Sequence, residues 1–184
     1  GLFYDCPIET LYIGRNLSYS TGYSYGYSPF YKIEELKTVT IGNSVTSIGD
    51  CIFRDCQGLT EITIPDNVTE IGHDAFYRCT GLISVIIGNG VTSIGDKAFS
   101  RCTGLAVFTI PNSVSMLGEG IFYECTGLRK VTIGNSVAEI GDETFYNCRD
   151  LTKVTIPNSV TLIGNSAFYG CRNLIEVIIG DSIT

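Results

Sequence analysis

The sequence predicts an α/β repeat protein, a solenoid in which every coil adds one short strand to a parallel sheet. Three observations lead to this prediction. Leucines recur every 23 residues from Leu36 to Leu174 without insertion or deletion. Each copy opens with β-branched residues, as in LTEITI at 59–64, and closes with a segment built on Gly, Phe and Cys, as in IGHDAFYRC at 71–79. One copy cannot bury its apolar side alone, so the copies must stack.

The first half of each copy predicts a strand. Its first, fourth and sixth residues are apolar, for example Leu59, Ile62 and Ile64, and alternate with polar residues at the third and fifth positions. The residue after the strand alternates between Gly and Pro along the chain, as at Gly42 and Pro65, and both residue types end strands. We therefore expect a parallel, concave sheet that presents the third and fifth residues of each copy outward.

The second half of each copy predicts a short helical turn on the convex side. A glycine such as Gly72 recurs after Ile or Leu, where we expect either a positive φ or a close approach between coils. The next residue is usually a hydrogen-bond acceptor, as at Asp50, Asp96 and Asp142. We interpret this column as the N-cap of a single helical or 3₁₀ turn that carries the Phe and the Cys.

Residues 1–184 are predicted to form a single solenoid with a partial repeat at each end. The sequence begins in the middle of a unit, and its last copy stops before the second half. Residues 18–29 leave the pattern for SYSTGYSYGYSP, which is five residues longer than the equivalent piece of later copies. Because the chain opens at Gly1 without a Met, we expect it to be a fragment of a longer protein.

The pattern LxxIxIPxxVxxIGxxAFxxCxx, complete at 59–81, resembles the BspA-like leucine-rich repeat family of bacterial and protozoan surface proteins. One strand and one turn per 23 residues fits the leucine-rich repeat period of about 20 to 29 residues. The resemblance implies a right-handed leucine-rich solenoid, a cell-surface or secreted location, and adhesion to host matrix proteins or other cells. It implies no catalytic residues. The chain departs from the pattern in the 18–29 insertion and at Ile33, which occupies the Cys position.

Composition and charge argue against several classes of function. The formal net charge is −7 and no run of Lys or Arg is present, which disfavours binding to nucleic acids or to anionic membranes. No apolar run approaches the length of about 18 residues that a membrane span needs, so we expect no direct membrane insertion. The glycines never form GxGxxG after a strand, so nucleotide binding has no support and we expect no cofactor.

The eight cysteines are explained by packing. Since Ile33 occupies the recurring Cys position, that position is apolar, and we interpret the column as reduced thiols in the core. Stacked coils would bring neighbouring Cys Cα atoms within disulfide range, but side chains stacked in parallel rarely have the required dihedral angle. Without a paired CxxC and with one histidine, a zinc site is disfavoured. The recurring cysteines are Cys56, Cys79, Cys102, Cys125, Cys148 and Cys171.

No catalytic or metal site is predicted, and we expect a non-enzymatic protein. His73 occupies the acceptor column, and no Ser, Cys or carboxylate is tied to it by a recognisable motif, so a catalytic triad is disfavoured. The acidic members of that column, Asp50, Asp96, Glu119 and Asp142, could be imagined as a calcium ladder. Each has a local capping role, however, and His73 interrupts the row.

The outward strand columns are the first candidate binding surface. Threonine dominates the fifth position. Its preference for strands and its polar hydroxyl would explain this on a sheet surface that only needs to stay soluble. The alternative is a ligand face with an apolar centre at Ile86 and Val107 and a basic edge at Lys130 and Lys153, extended by Arg129. An ice-like threonine array is a more remote alternative, since Thr fills both columns in one copy only.

The 18–29 insertion is the second candidate binding surface. Tyr19, Tyr23, Tyr25, Tyr27 and Tyr31 place five of the eleven tyrosines of the chain within thirteen residues. Tyr with Ser and Gly is the composition of adaptable binding loops. Tyrosines that pack over the bulge of a longer coil would explain the same composition, and both interpretations stay open.

We expect a protein-binding or adhesion segment, with host extracellular matrix or cell-surface proteins as the partners that the resemblance implies. Two alternatives are a structural spacer without a ligand and a module that self-associates end to end through its incomplete first and last copies. Repeat architecture by itself supplies only an extended surface.

Overall fold

The computed structural model describes residues 2–19 and 28–183. Each coil carries one strand of three or four residues, most coils carry a second strand of two residues, and the described residues contain no helix that could cross a membrane. The strands are β1 (Thr10–Ile13), β2 (Thr38–Ile41), β3 (Ser47–Ile48), β4 (Glu61–Ile64), β5 (Glu70–Ile71), β6 (Ser84–Ile87), β7 (Ser93–Ile94), β8 (Val107–Thr109), β9 (Met116–Leu117), β10 (Lys130–Thr132), β11 (Glu139–Ile140), β12 (Lys153–Ile156), β13 (Leu162–Ile163) and β14 (Glu176–Ile179).

All strand pairs are parallel, so the predicted parallel sheet is confirmed. The longer strands form two four-stranded sheets, β1-β2-β4-β6 and β14-β12-β10-β8, and equivalent residues of neighbouring coils pair, as Glu61 does with Ser84. In β1 and β2, Thr10 pairs with Thr38, so the five extra residues of the insertion leave the register of the strands intact. The two-residue strands form further sheets, β3-β5-β7-β9 and β11-β13, which the sequence analysis did not predict.

The core is a set of identical side chains stacked from coil to coil. Phe76 and Phe99 stack with ring centroids 5.1 Å apart and ring planes within 3° of parallel. The Cys102 thiol donates to the carbonyl of Phe76 at 3.2 Å, and five other cysteines repeat this contact. All eight cysteines are free, and Ile33 in the same column is fully buried, which confirms that the position is apolar.

The predicted helical or 3₁₀ turns are not found in the described residues. The Phe–Cys segment forms consecutive turns instead, because two residues of each full coil adopt left-handed backbone angles, for example Asp74 (φ 51°) and Arg78 (φ 56°). A right-handed helical turn cannot contain both of them. Alternate backbone N–H groups donate to the next coil, as Phe76 does to the carbonyl of Ala98 at 2.8 Å, so the segment is held partly by its neighbour.

The glycine after Ile or Leu is required by close approach. A Cβ added at Gly95 would lie 2.7 Å from the backbone nitrogen of His73, which no side chain can tolerate. The alternative expectation of a positive φ is wrong for this column, since the left-handed residues occur later in the coil. The N-cap interpretation is also wrong: Asp96 Oδ1 accepts from the backbone N–H of Glu119, one coil further on, at 2.9 Å. These coil-to-coil hydrogen bonds form a row that we call the acceptor ladder. His73 belongs to it, because its Nδ1 accepts from the N–H of Asp96 at 3.0 Å.

The ladder of longer strands is interrupted between β6 and β8. Phe108 occupies a core position where the neighbouring copies have Val85 and Val131. Its ring makes edge contacts with Phe99 at 4.9 Å and Phe122 at 4.7 Å, and those two rings stand 6.3 Å apart. The larger side chain thus packs against rings of two coils beside the interruption of the strand ladder.

Candidate binding surfaces

The outer strand face consists of the third and fifth residues of the longer strands. In β2, β4 and β12 these residues are exposed while the fourth and sixth are buried, as the alternating pattern predicts. Backbone hydrogen bonds hold β2, β4, β10 and β12 from both sides, so the side chains of these strands stand on a rigid support. The face can therefore present variable residues without changing the core beneath it.

The predicted apolar centre is exposed and lies over the interruption of the strand ladder. Ile86 of β6 is 59% exposed and Val107 of β8 is 54% exposed. Ile83, just before β6, is 62% exposed and enlarges the patch. The sequence analysis missed Ile83 because the second position of the repeat was assigned to neither face. Its apolar side chain among the mostly polar residues of that column was the available signal.

The predicted basic edge is only partly basic. Val107, Lys130, Lys153 and Glu176 form one row across neighbouring strands. Lys153 Nζ lies 2.9 Å from Glu176 Oε1, and both side chains are half-exposed. Lys130 and Arg129 form no ion pair with any described residue, so the positive charge of this edge is centred on residues 129–130.

A groove of about 630 Å³ lies on the C-terminal half of the outer strand face. It brings Lys130 and Lys153 together with Arg129, whereas Ile86 and Val107 lie outside it. Its remaining lining includes Thr132 and Thr155, the fifth-position threonines of β10 and β12, with Asn158 at one end. Cationic side chains and hydroxyl groups beside the apolar residues Val131 and Ile133 are suited to contact an acidic segment.

Of the four predicted binding residues in the tyrosine insertion, only Tyr19 lies among the residues that the structure describes. The Tyr19 hydroxyl donates to the backbone carbonyl of Asp50 at 2.8 Å, and its ring packs against the core. Burial, with a smaller contribution from the Asp50 carboxylate, raises the pKa of Tyr19 well above its ordinary value. These contacts match the packing interpretation for Tyr19. Tyr23, Tyr25 and Tyr27 lie outside the described residues, and their role in binding stays a prediction.

Tyr12 is a further exposed aromatic residue that the sequence analysis did not select. It occupies the fifth position of β1, pairs in register with Thr40, and is 69% exposed. Its ring covers Gly14 and its hydroxyl reaches Gly42, where any larger residue would collide with it. Tyr12 lies between Leu11 and Ile13, which match the apolar fourth and sixth positions Ile62 and Ile64, so the signal was present in the sequence.

Metal-binding clusters or reactive thiols among the described residues could carry chemistry. No group of three His, Cys, Asp or Glu side chains among them is placed to hold a metal ion. Burial raises the pKa of the Cys56 and Cys125 thiols to about 12, which keeps them protonated and unreactive at neutral pH. The arrangement is suited to surface contact.

Comparison with known families agrees with this geometry. A family model described as the BspA type leucine-rich repeat region matches residues 23–152 and 92–184, with six copies. The chain belongs to this family. The resemblance recognised in the pattern at 59–81 is thereby confirmed, and none of the curated proteins matches the chain.

Solved structures of bacterial leucine-rich repeat proteins share the fold. A leucine-rich repeat protein of T. pallidum is 29% identical with a TM-score of 0.73, over 89% of this chain and 71% of that one. A leucine-rich cell surface protein of Faecalibacterium prausnitzii is 29% identical with a TM-score of 0.75, over 95% of this chain and 48% of that one. The pneumococcal vaccine antigen PcpA, 22% identical with a TM-score of 0.63 over 95% of this chain and 41% of its own, shows the fold alone. The chain thus spans about half the length of these last two proteins or less.

Proposed function

We propose that the chain is a non-enzymatic, protein-binding segment of a surface or secreted protein and that it binds through the outer strand face. The observation that carries the proposal is the exposed apolar patch of Ile83, Ile86 and Val107 beside the cations Arg129 and Lys130. Binding interfaces commonly combine a desolvated apolar centre with a polar rim. A surface location is supported by the F. prausnitzii relative, which is named a cell surface protein.

The two parts of the surface would contribute differently to binding. Burying the half-exposed side chains of Ile86 and Val107 against a partner supplies affinity, because apolar area is removed from water. The cations at residues 129–130, which form no ion pair with the described residues, would attract acidic side chains and orient the partner, which mainly affects association rate and specificity. Host extracellular matrix and cell-surface proteins are the partners that we propose. The tyrosine insertion, residues 18–29, is a second contact surface of the same proposal.

The proposal can be tested by measuring binding of the segment to a panel of matrix proteins by surface plasmon resonance. The double substitution Ile86→Thr with Val107→Thr keeps β-branched residues in the strands but removes apolar area. We expect it to weaken binding at least tenfold, since interface residues of this kind contribute roughly 1 to 2 kcal/mol each. A variant with Tyr23, Tyr25 and Tyr27 changed to Ser reports separately on the insertion.

The matched control is Ile178→Thr. Ile178 occupies the same fifth-position column and is 44% exposed, but it lies on β14, away from the apolar patch. It should bind like the unmodified chain. A matrix protein that binds all variants equally would refute the assignment of the surface, and absence of binding to every matrix protein would refute the proposed function.

End-to-end self-association is the alternative proposal. Solution scattering across a concentration series distinguishes the two. A mass that rises with concentration supports self-association, whereas a constant monomer mass refutes it.

A further inference from the structure

A second groove lies outside the outer strand face, at the turns between the Phe–Cys segment and the following strand. It encloses about 370 Å³. Three arginines contribute to its lining, Arg78, Arg101 and Arg149, together with one acidic residue, Glu124. Three guanidinium groups outnumber the two carboxylates beside them, Glu124 and Asp55, so the groove keeps a local positive charge although the whole chain carries a formal net charge of −7.

Two of the arginines are held in place by their neighbours. Arg78 Nη1 lies 3.1 Å from Oδ1 of Asp55, a carboxylate that is only 5% exposed. Arg101 Nε lies 3.0 Å from Glu124 Oε2, and its guanidinium carbon is 5.7 Å from the centre of the Tyr77 ring. Each ion pair engages one nitrogen of a group that has five N–H donors, so several donors of each arginine stay available to a ligand.

The backbone beneath these arginines is also restrained. Arg78 and Arg101 have left-handed backbone angles, with φ of 56° and 60°. Their N–H groups donate to the carbonyls of Ser100 and Tyr123 in the next coil, at 2.9 and 2.7 Å. Hydrogen bonds to the neighbouring coils thus fix the backbone positions of both arginines. A site whose donors are already in place loses less entropy when a ligand binds.

The remaining lining supplies hydroxyl groups and a third guanidinium. Thr80, Thr103 and Thr126 occupy one column of the repeat, one in each of three successive coils, and Arg149 continues that column in the fourth. Arg149 is exposed and forms no ion pair within residues 2–19 and 28–183. Coils that repeat at the strand spacing of about 4.8 Å bring these donors into a row short enough for one small ligand to contact.

We propose that this groove binds a phosphate or sulfate ester, a tetrahedral oxyanion carried on a small ligand. Guanidinium groups bind such oxyanions through paired N–H donors, and hydroxyl groups complete the contacts. Arg101 lies in the same copy as Thr103, and Arg149 follows Thr126 one copy further on, so guanidinium and hydroxyl donors lie side by side along the groove. Because the overall charge is negative, long-range attraction of polyanions is absent, so direct contacts within the groove must supply the affinity. The volume of about 370 Å³ suits a small ligand.

Isothermal titration calorimetry with phenyl phosphate, phenyl sulfate and benzoate tests the ligand class. We expect saturable binding of at least one ester, weaker binding as salt is raised, and at least tenfold weaker binding of benzoate. Tighter binding of phenyl phosphate would identify phosphate as the source of the oxyanion, and tighter binding of phenyl sulfate would identify sulfate. Absence of saturable binding by both esters, or benzoate bound as well as the esters, would overturn the proposal.

A matched pair of substitutions tests the location. Arg149→Gln should weaken ester binding at least tenfold, whereas Arg172→Gln, in the same column one coil further on and outside the groove, should change it less than twofold. Glu124→Gln should strengthen binding, because it removes the carboxylate that competes for Arg101. Equal losses for Arg149→Gln and Arg172→Gln would show a nonspecific charge effect and refute the site. The outer strand face is unchanged in these variants, so the proposed function is tested separately.

Discussion

The stacked core columns and the outer strand face differ in how far a residue in one coil restricts the residue type at the same position in the next coil. The Phe column runs from Phe3 to Phe168 with neighbouring ring centroids 5.1 to 6.3 Å apart, so each ring must match the ring above and below it. The third-position column of the outer face changes from Glu61 to Ser84, Val107 and Lys130 over four coils. Side chains that pack on the equivalent residue of the next coil must be apolar and fit its shape, whereas side chains that face solvent are free to vary.

Replacing one core ring should give the largest effect. We expect Phe99→Ala to lower the free energy of unfolding by about 3 to 5 kcal/mol, because it removes a fully buried ring and leaves a cavity between two stacked neighbours. The matched change on the outer face, Thr63→Ala, should cost about 1 kcal/mol or less. Urea denaturation measures both. Similar losses for the two variants would contradict the distinction between core columns and outer face.

Alkaline pH should weaken the core columns next. Burial raises the pKa of the Cys56 and Cys125 thiols from 9.0 to about 12. Between these values the unfolded chain loses the thiol protons and the folded chain keeps them, so stability falls as pH rises from 9 toward 12. For these two thiols together the loss between pH 8 and pH 10 should be about 3 kcal/mol.

The control for this prediction is a variant with Cys56→Ala and Cys125→Ala, measured by urea denaturation at the same two pH values. The substitutions lower stability at pH 8, but the further loss on going to pH 10 should be smaller by about 3 kcal/mol than in the unmodified chain. An unchanged pH dependence would mean that these thiols do not stay protonated in the core.

The smallest expected effect concerns the acceptor ladder, which repeats like the core but lies at the surface. Asp96→Ala removes the acceptor for the Glu119 N–H, and we expect a loss of about 0.5 to 1.5 kcal/mol in the free energy of unfolding. Glu139→Ala, an exposed strand residue, serves as the control and should change stability by less than about 0.5 kcal/mol. If the two variants lose the same free energy of unfolding, the hydrogen bonds of the acceptor ladder accompany the stacking of the coils without stabilising it.

Much of the fold and part of the candidate site could be predicted from residue patterns. Ile62 and Phe76 occupy apolar positions that can be buried only by stacking, and both are buried. The same alternation placed Ile86 and Val107 outward, where they are exposed. The second position of the repeat has no such alternation to assign it, which is why Ile83 was missed.

The 23-residue period, the parallel strands and the buried Phe and Cys columns were determined by the sequence itself, because in a stacked repeat each side chain meets its own copy. Contacts between unlike residues of different coils were decided only by the tertiary structure. Asp96 accepts a hydrogen bond from the next coil rather than from its own turn, and the Phe108 ring packs edge-on against Phe99 and Phe122. Whether such residues meet depends on the stagger and backbone angles of neighbouring coils, which no pattern within one copy contains.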